Sequence, residues 1–371
     1  MQETGISLEE FKDRSSNKFV PGSIHTDDKL SYWKDTLRAN QWVIDTLKFG
    51  YCLPLTSVPS QYEEQNNLSA KENMQFVRQE VQSLVEQGVV EIVKQKPLCV
   101  SPLTVAIREK SDGQVKRRLC WDGSRHINPL LQEQKVNLSH LGVALETSLE
   151  GDFQLKYDLK SAFHHIKMHK NHVQYLGAAY QDEKGATVYF VFLYLPFGAA
   201  SAVHCITKML KPVVAHLAEK GIWHTIFIDD GRVSASSLEM VRQHFTYTIS
   251  VLCKAGWQIS WAKTDNLQEA SFRKEYLGFI IDTEQMRVFL TEEKKTTVTN
   301  SINNLLDQFG EKVKSKTLAK TLGQMISLEP ALGGFPLTFA RLAYYELEQT
   351  VDTPESVPTQ FFALSYSLCT H

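Results

Sequence analysis

Asp229 and Asp230 stand side by side after the apolar run Thr225-Ile226-Phe227-Ile228, and Gly231 leads from them into a second β-rich run through Val233. This pattern predicts a hairpin with paired carboxylates at its turn. Two adjacent negative charges repel, so an exposed turn gains little from them. A divalent cation rewards them: Mg2+ takes hard oxygen ligands, often one or two carboxylates together with substrate phosphates. A third carboxylate, Asp158, ends the run Phe153-Gln154-Leu155-Lys156-Tyr157, 71 residues before Asp229. Taken singly, these are a solvated Asp-Gly turn and an acidic strand cap. The interval between them, however, accommodates a hairpin, a helix and a second hairpin. An antiparallel sheet can therefore bring both acidic strand ends together.

The elements that must position these residues are legible from periodicity and punctuation. Ser69-Ala70-Lys71-Glu72 reads as a capping box opening a helix with Val77, Val81, Leu84 and Val85 on one face and Gly88 closing it. Val89 to Val93 alternates like a strand. Ser101 to Arg108 and Lys116 to Trp121 form a hairpin around Asp112-Gly113, with basic residues on both arms. Ala178 to Tyr180 and Thr187 to Tyr194 form another. Leu195-Pro196-Phe197-Gly198 makes a bend before small residues and a helix along Val203, Ile206, Leu210, Val213 and Leu217, with Pro212 expected to kink it. A second capping box, Ser236 and Glu239, precedes a helix along Val241, Phe245, Ile249 and Leu252. Trp257 to Trp261 reads as a strand, with Lys263 just beyond. Tyr276 to Ile281 begins a further hairpin. Three helices follow, marked by Val298 to Phe309, Leu318 to Ile326 and Phe335 to Leu347.

The bulk composition bounds the class. The chain has 371 residues, 43% hydrophobic and 22% charged, enough apolar mass for two or three subdomains. No apolar run reaches the roughly 18 residues of a membrane span, and the start of the chain is polar and acidic, unlike a signal peptide. The six cysteines are scattered without a CxxC pair, which points to reduced thiols and an intracellular setting, cytoplasm or nucleus. The net charge of −2 disfavours a uniformly basic nucleic-acid binder, but Arg108, Lys110, Lys116, Arg117 and Arg118 form a local basic cluster. Arg118 suits a triphosphate, because a planar guanidinium clamps phosphate oxygens. His164, His165, His169 and His172 invite a metal reading, and His165 and His169 have helical spacing. Zinc needs further ligands in tetrahedral geometry, and no HExxH or cysteine pair supplies them, so packing or surface roles are preferred.

Taken in order, these motifs resemble the polymerase core of reverse transcriptases, most closely those of DIRS-like (tyrosine-recombinase) retrotransposons. The residues that carry this are Asp158-Leu159-Lys160-Ser161-Ala162-Phe163-His164-His165-Ile166, Leu195-Pro196-Phe197-Gly198, Phe227-Ile228-Asp229-Asp230-Gly231 and Tyr276-Leu277-Gly278-Phe279. Tyr175-Leu176-Gly177 and Leu322-Gly323-Gln324 match the same branch. Phe227 stands where many relatives have Tyr. The resemblance runs from about Asp35 to Leu347 and implies an α+β right-hand polymerase with fingers, palm and thumb, the palm a ferredoxin-like antiparallel sheet. It divides the chain into an N-terminal extension (1–68), fingers (69–150, with 166–200 inserted), palm (151–285), helical thumb or connection (286–350) and a tail (351–371). An RNase H domain usually follows in such enzymes; no later carboxylate set here could form one, so no RNase H domain is expected.

The same resemblance implies an RNA-directed DNA polymerase that extends a primer on an RNA or DNA template from dNTPs. Catalysis falls to Asp158, Asp229 and Asp230. Two Mg2+ ions, for which Mn2+ can substitute, are held by Asp158, Leu159 and Asp229. Lys110, Arg118, Phe163, Phe197, Gly198 and Lys263 bind the nucleotide, with Arg108 as the other candidate for the role of Lys110. Phe163 is the ring that excludes a ribose 2′-OH, and Tyr276, Leu277 and Gly278 form the primer grip. An RNA-dependent RNA polymerase shares such a palm but must admit a 2′-OH. The alternative outside enzymology is an inactive or domesticated retroelement remnant that binds nucleic acid or a partner. No membrane partner is expected.

Overall fold

A computed structural model describes residues 8–14, 18–109, 113–136, 141–308, 312–349 and 357–358. The chain divides into two compact units. One comprises residues 1–109, 115–140 and 153–271, and the other residues 110–114, 141–152 and 272–371. Among the described residues no helix is long and apolar enough to cross a membrane.

The acidic residues lie on a three-stranded antiparallel sheet in the first unit. Phe153–Asp158 and Trp223–Phe227 flank Asp230–Ala235 on either side. The strand period of two sorts the side chains. Leu155 and Tyr157 are buried in the large core, and the Tyr157 ring lies 6.4 Å from Phe245 of the helix Leu238–Lys254. Asp158, next in line, projects to the opposite face. The helix Ala202–Glu219 shares the same core through Ile206, Leu210, Val213 and Leu217 and runs uninterrupted through Pro212. The strand expected at Trp257 to Trp261 is reduced to one bridge, Leu159 to Ile259, made by Lys160 N–H to Gln258 O and Ser260 N–H to Asp158 O. The ladder stops there because Ser161 turns into the left-handed region, φ 48°, and leaves no strand to pair with. Trp261–Lys263 then forms a 3-10 turn instead of continuing as β.

Elsewhere in the first unit, Leu103–Glu109 and Val115–Trp121 form the basic hairpin. A five-stranded sheet orders Tyr62–Glu63, Cys99–Val100, Gly177–Gln181, Thr187–Phe192 and Val90–Val93. Two helix starts differ from expectation. The helix expected from Ser69 is broken into Leu68–Glu72 and Met74–Glu86, because Ser69 Oγ accepts from Val105 N–H at 3.1 Å and is not free to cap. The later helix is capped by Ser237, whose Oγ accepts from Met240 N–H, one residue past the expected Ser236. The N-terminal segment is more helical than its sparse anchors suggest, with a helix at Gln41–Phe49 capped by Asn40. It joins the core: Trp33 is fully buried and its indole N–H donates to Ala255 O at 2.9 Å.

In the second unit, the antiparallel sheet Arg273–Tyr276, Phe279–Asp282 and Arg287–Leu290 packs on the helix Leu141–Glu146 through Tyr276, Phe279, Ile281, Leu141 and Ala144. The helices Glu292–Leu306, Ser315–Ile326 and Phe335–Gln349 enclose a separate core of Leu305, Leu318, Leu322, Ala340 and Ala343. Phe309, expected on the first of these, lies outside the described residues.

Candidate active site

Sheet register places the three carboxylates. Asp158 pairs across the ladder with Asp230, and Leu159 N–H donates to Asp229 O at 2.9 Å. The turn between the two strands is Ile228-Asp229, with Ile228 at φ 59°. Positive φ at the first turn residue alone is the type II′ pattern, a position that favours glycine. Gly231 follows because a Cβ there would sit 2.0 Å from the Tyr157 ring. Asp158 is nearly buried, Asp229 half-buried and Asp230 exposed.

The electrostatics follow from this crowding. Desolvation, then the Asp158 charge, raises the Asp229 carboxyl above its usual range. Desolvation, then the charges of Asp229 and Asp158, pushes Asp230 up to about 6. Lys263 opposes both shifts. Its Nζ lies 3.0 and 2.9 Å from the two oxygens of Asp158. Asp158 N–H donates to Thr264 Oγ1 at 3.2 Å. Three convergent carboxylates, with Asp229 and Asp230 raised by this crowding, are a hard-oxygen donor set suited to divalent cations. Leu159 has no ligating side-chain atom, so only its backbone carbonyl is available as a ligand.

Several of the remaining residues gather beside the carboxylates. Phe163 lies in the 3-10 turn Ala162–His165 directly after Asp158, and its ring meets Phe197 edge-on at 5.9 Å. The Arg118 guanidinium lies 5.9 Å from the Phe197 ring, and its charge acts on Asp229. Gly198, at φ 120°, packs so tightly on Trp121 that a Cβ would fall 1.9 Å from the Trp121 carbonyl oxygen. Trp121 N–H donates to Phe197 O, which fixes the bend to the end of the basic hairpin. Arg108 is exposed and pairs across the hairpin with Lys116. Lys110 lies outside the described residues. Tyr276, Leu277 and Gly278 belong to the second unit. There Leu277 and Gly278, at φ 50° and 76°, close a type I′ hairpin.

Sequence reasoning missed residues that hold the site without touching a substrate. Asn128 grips the bend from both sides, its amide donating to Gly198 O and its carbonyl accepting from Ala200 N–H. Thr264 and Ser260 fix the backbone of Asp158. Polar residues of this kind act through backbone groups far away in sequence, so spacing gives no signal for them.

Among the described residues, His165 and the pair His169 and His172 are placed by packing and backbone hydrogen bonds. His165 is fully buried, accepts from Gln258 N–H at 3.0 Å, and burial drops its pKa to about 3. The helical spacing to His169 is not realised, since a 3-10 turn ends at His165. Cys52, His169 and His172 do bring ligand atoms within 4.8 Å of one another. In both of these rings Nδ1 accepts a backbone N–H, from Asn171 to His169 and from Leu53 to His172. The neutral ring then carries its proton on Nε2. That is the reverse of a metal-ligating histidine, whose other nitrogen donates.

Residues 117–281 match the sequence profile described as reverse transcriptase (RNA-dependent DNA polymerase). The structure is similar to a foamy viral protease-reverse transcriptase solved with double-stranded DNA, at TM-score 0.61 and 19% identity over 96% of this chain. It is equally similar to a foamy viral protease-reverse transcriptase solved with an RNA/DNA hybrid, at TM-score 0.61 and 19% identity. The chain spans 62% of the length of the first and 48% of the second. No curated protein matches the chain. At this identity the likeness is one of fold: the chain has the reverse transcriptase polymerase fold. The reverse transcriptase match contains the acidic triad, Arg118, Phe163, Phe197, Gly198, Lys263 and Tyr276–Phe279, whereas Lys110 and Leu322-Gly323-Gln324 fall beyond it.

Proposed function

We propose that this chain is an RNA-directed DNA polymerase, a nucleotidyltransferase that adds dNTPs to a primer on an RNA or DNA template. The observation that carries it is the register that pairs Asp158 with Asp230 and ties Leu159 to Asp229. Two sheet strands thereby present three carboxylates at one edge, the donor set for divalent-metal phosphoryl chemistry. The foamy viral relatives were solved with double-stranded DNA and an RNA/DNA hybrid, and we carry template-primer duplexes over to this chain as its partners. The motifs around Tyr175-Leu176-Gly177 favour a DIRS-like retroelement source, and the unpaired thiols fit an intracellular setting.

In this reading the strands of the acidic hairpin are the palm, the basic hairpin belongs to the fingers, and the helices from Glu292 onward form the thumb. Asp158, Asp229 and the carbonyl of Leu159 hold two Mg2+ ions, with Asp230 supporting. When bound, these ions lower the pKa of the primer 3′-OH and stabilise the departing pyrophosphate. Arg118 grips the triphosphate through paired N–H donors. Phe163 fills the space that a ribose 2′-OH would need, and Phe197 braces both groups. Lys263 offers its ammonium to the same anionic charge. Tyr276, Leu277 and Gly278 act as the primer grip. Catalysis is then positioning and preorganised electrostatics.

The test is primer extension on an RNA template with Mg2+, comparing dNTPs with rNTPs, beside Asp229→Asn and Phe163→Val. Extension with dNTPs alone, abolished by Asp229→Asn and opened to rNTPs by Phe163→Val, is the expected result. Folded protein that binds duplex in a salt-dependent way but extends nothing would replace this reading with that of a binding remnant.

A further inference from the structure

We propose that Lys263 is a displaceable counter-ion that competes with divalent cations for Asp158 and so sets how much cation the catalytic centre requires. The inference rests on the polymerase reading in one respect, the assignment of the acidic triad as the cation site.

The pair is asymmetric. The Asp158 side chain is 8% exposed and cannot turn away, whereas that of Lys263 is 60% exposed and reaches in from solvent. Nζ takes both carboxylate oxygens, at 3.0 and 2.9 Å. A cation that uses those oxygens must take the place of Nζ. The backbone around both residues is pinned. Ser260 N–H donates to Asp158 O, Lys263 N–H donates to Ser260 O, and Thr264 Oγ1 accepts from Asp158 N–H. The Lys263 Cα is therefore fixed while its four-carbon stem is free to swing. Lys263 is also the charge that acts on Asp229 and Asp230 together, holding both carboxyls lower than desolvation and mutual repulsion would leave them. Two positive groups that share one carboxylate must weaken each other reciprocally. Lys263 thus keeps the buried Asp158 compensated until a cation arrives, and leaves when it does.

The test is Mn2+ binding to the nucleotide-free full chain, read by the electron paramagnetic resonance of free Mn2+, with melting temperature alongside. Lys263→Met and Lys263→Gln are compared with Lys156→Met, which removes a charge that also acts on Asp230, and with Asp158→Asn. Both Lys263 variants should bind Mn2+ about tenfold more tightly than the wild type, since a charge-assisted contact to a buried partner no longer opposes the cation. Their melting temperature should rise more on adding Mn2+ than the wild type's does. Lys156→Met should change affinity less than about twofold, and Asp158→Asn should remove the effect. Equal gains at Lys156 and Lys263 would reduce the role to general electrostatics and overturn the proposal, as would unchanged or weaker binding in both Lys263 variants. If the wild type extends primers while Lys263 proves inert, only the counter-ion idea fails. If the wild type neither binds Mn2+ nor extends primers, both readings fall.

Discussion

Two hairpins of this chain close on two-residue turns, and they solve the same backbone problem differently. At Leu277-Gly278 both residues take positive φ, and the second is glycine, with only Lys294 Cδ, 4.0 Å away, near its missing Cβ. At Ile228-Asp229 the positive φ falls on a β-branched residue, where the left-handed region costs roughly 1–2 kcal/mol. The first turn carries a strained Leu277 but relieves its second position with glycine. The second keeps its strain, and what it gains is the placement of Asp229, whose carbonyl is tied to Leu159 and whose carboxyl crowds Asp158. Strain of this kind persists where the surrounding structure over-determines it, and the place to look for chemistry is the turn that a stability argument would have designed otherwise.

The comparison can be tested, beginning with the largest effect. Asp229→Asn should reduce nucleotide incorporation by roughly 10^3-fold or more while raising the melting temperature at pH 8, because it removes a charge that the site disfavours. Primer extension and a thermal melt on one preparation check both signs. Gly231→Ala should lower stability by about 3 kcal/mol or more, since its Cβ collides with the Tyr157 ring, and denaturant unfolding would measure it. Ile228→Gly and Gly278→Ala should move in opposite directions by about 1 kcal/mol each, the first stabilising and the second destabilising. Stabilisation by Ile228→Gly with intact incorporation would show that the strain at the acidic turn has no functional use.

The smallest effect concerns pH. Asp230 has its folded pKa raised from 3.8 to about 6, so its favourable contribution is complete below 3.8 and is lost as pH rises through about 6. Asp230→Asn should flatten the melting profile across that window. His25 has the opposite sign. Burial lowers its pKa from 6.5 to about 4, so the stability it lends is present above 6.5 and is lost as pH falls toward 4. His25→Gln should weaken the acid-side loss.

The acidic triad and its strands were legible because a strand alternates with period two and a turn announces itself, so Asp158 and Asp229-Asp230 could be set on strand ends from spacing alone. The helices around Val241 to Leu252 and Leu318 to Ile326 were legible for the equivalent reason at period 3.6. The strand at Trp257 was misread because its apolar residues are buried by long-range packing. The bridge to Leu159 ends where Ser161 turns, and no local signal in either segment reports the other. Ser69 was misread in the same way: its hydroxyl is claimed by Val105, 36 residues on. The gathering of Arg118, Phe197 and Phe163 followed from resemblance, and Asn128, which holds the bend, was invisible to both routes.

The profile match begins at residue 117, yet the core under the catalytic sheet draws on residues far earlier, from Phe19 and Trp33 onward. Trp33 caps the carbonyl of Ala255, Ser23 Oγ donates to Gly256 O, and Gln258 holds Val20 through both its amide nitrogen and oxygen. Gly256 has no room for a side chain beneath Ser23. The segment Ala255–Gln258 in turn supplies the carbonyl that receives Lys160 N–H, two residues from Asp158. Trimming the gene to the matched region would remove Trp33 together with Val20 and Ser23, and so unpin the segment Ala255–Gln258 that leads to Lys263. Library designs and domain transplants should therefore carry residues 19–51 with the catalytic sheet as one inheritance.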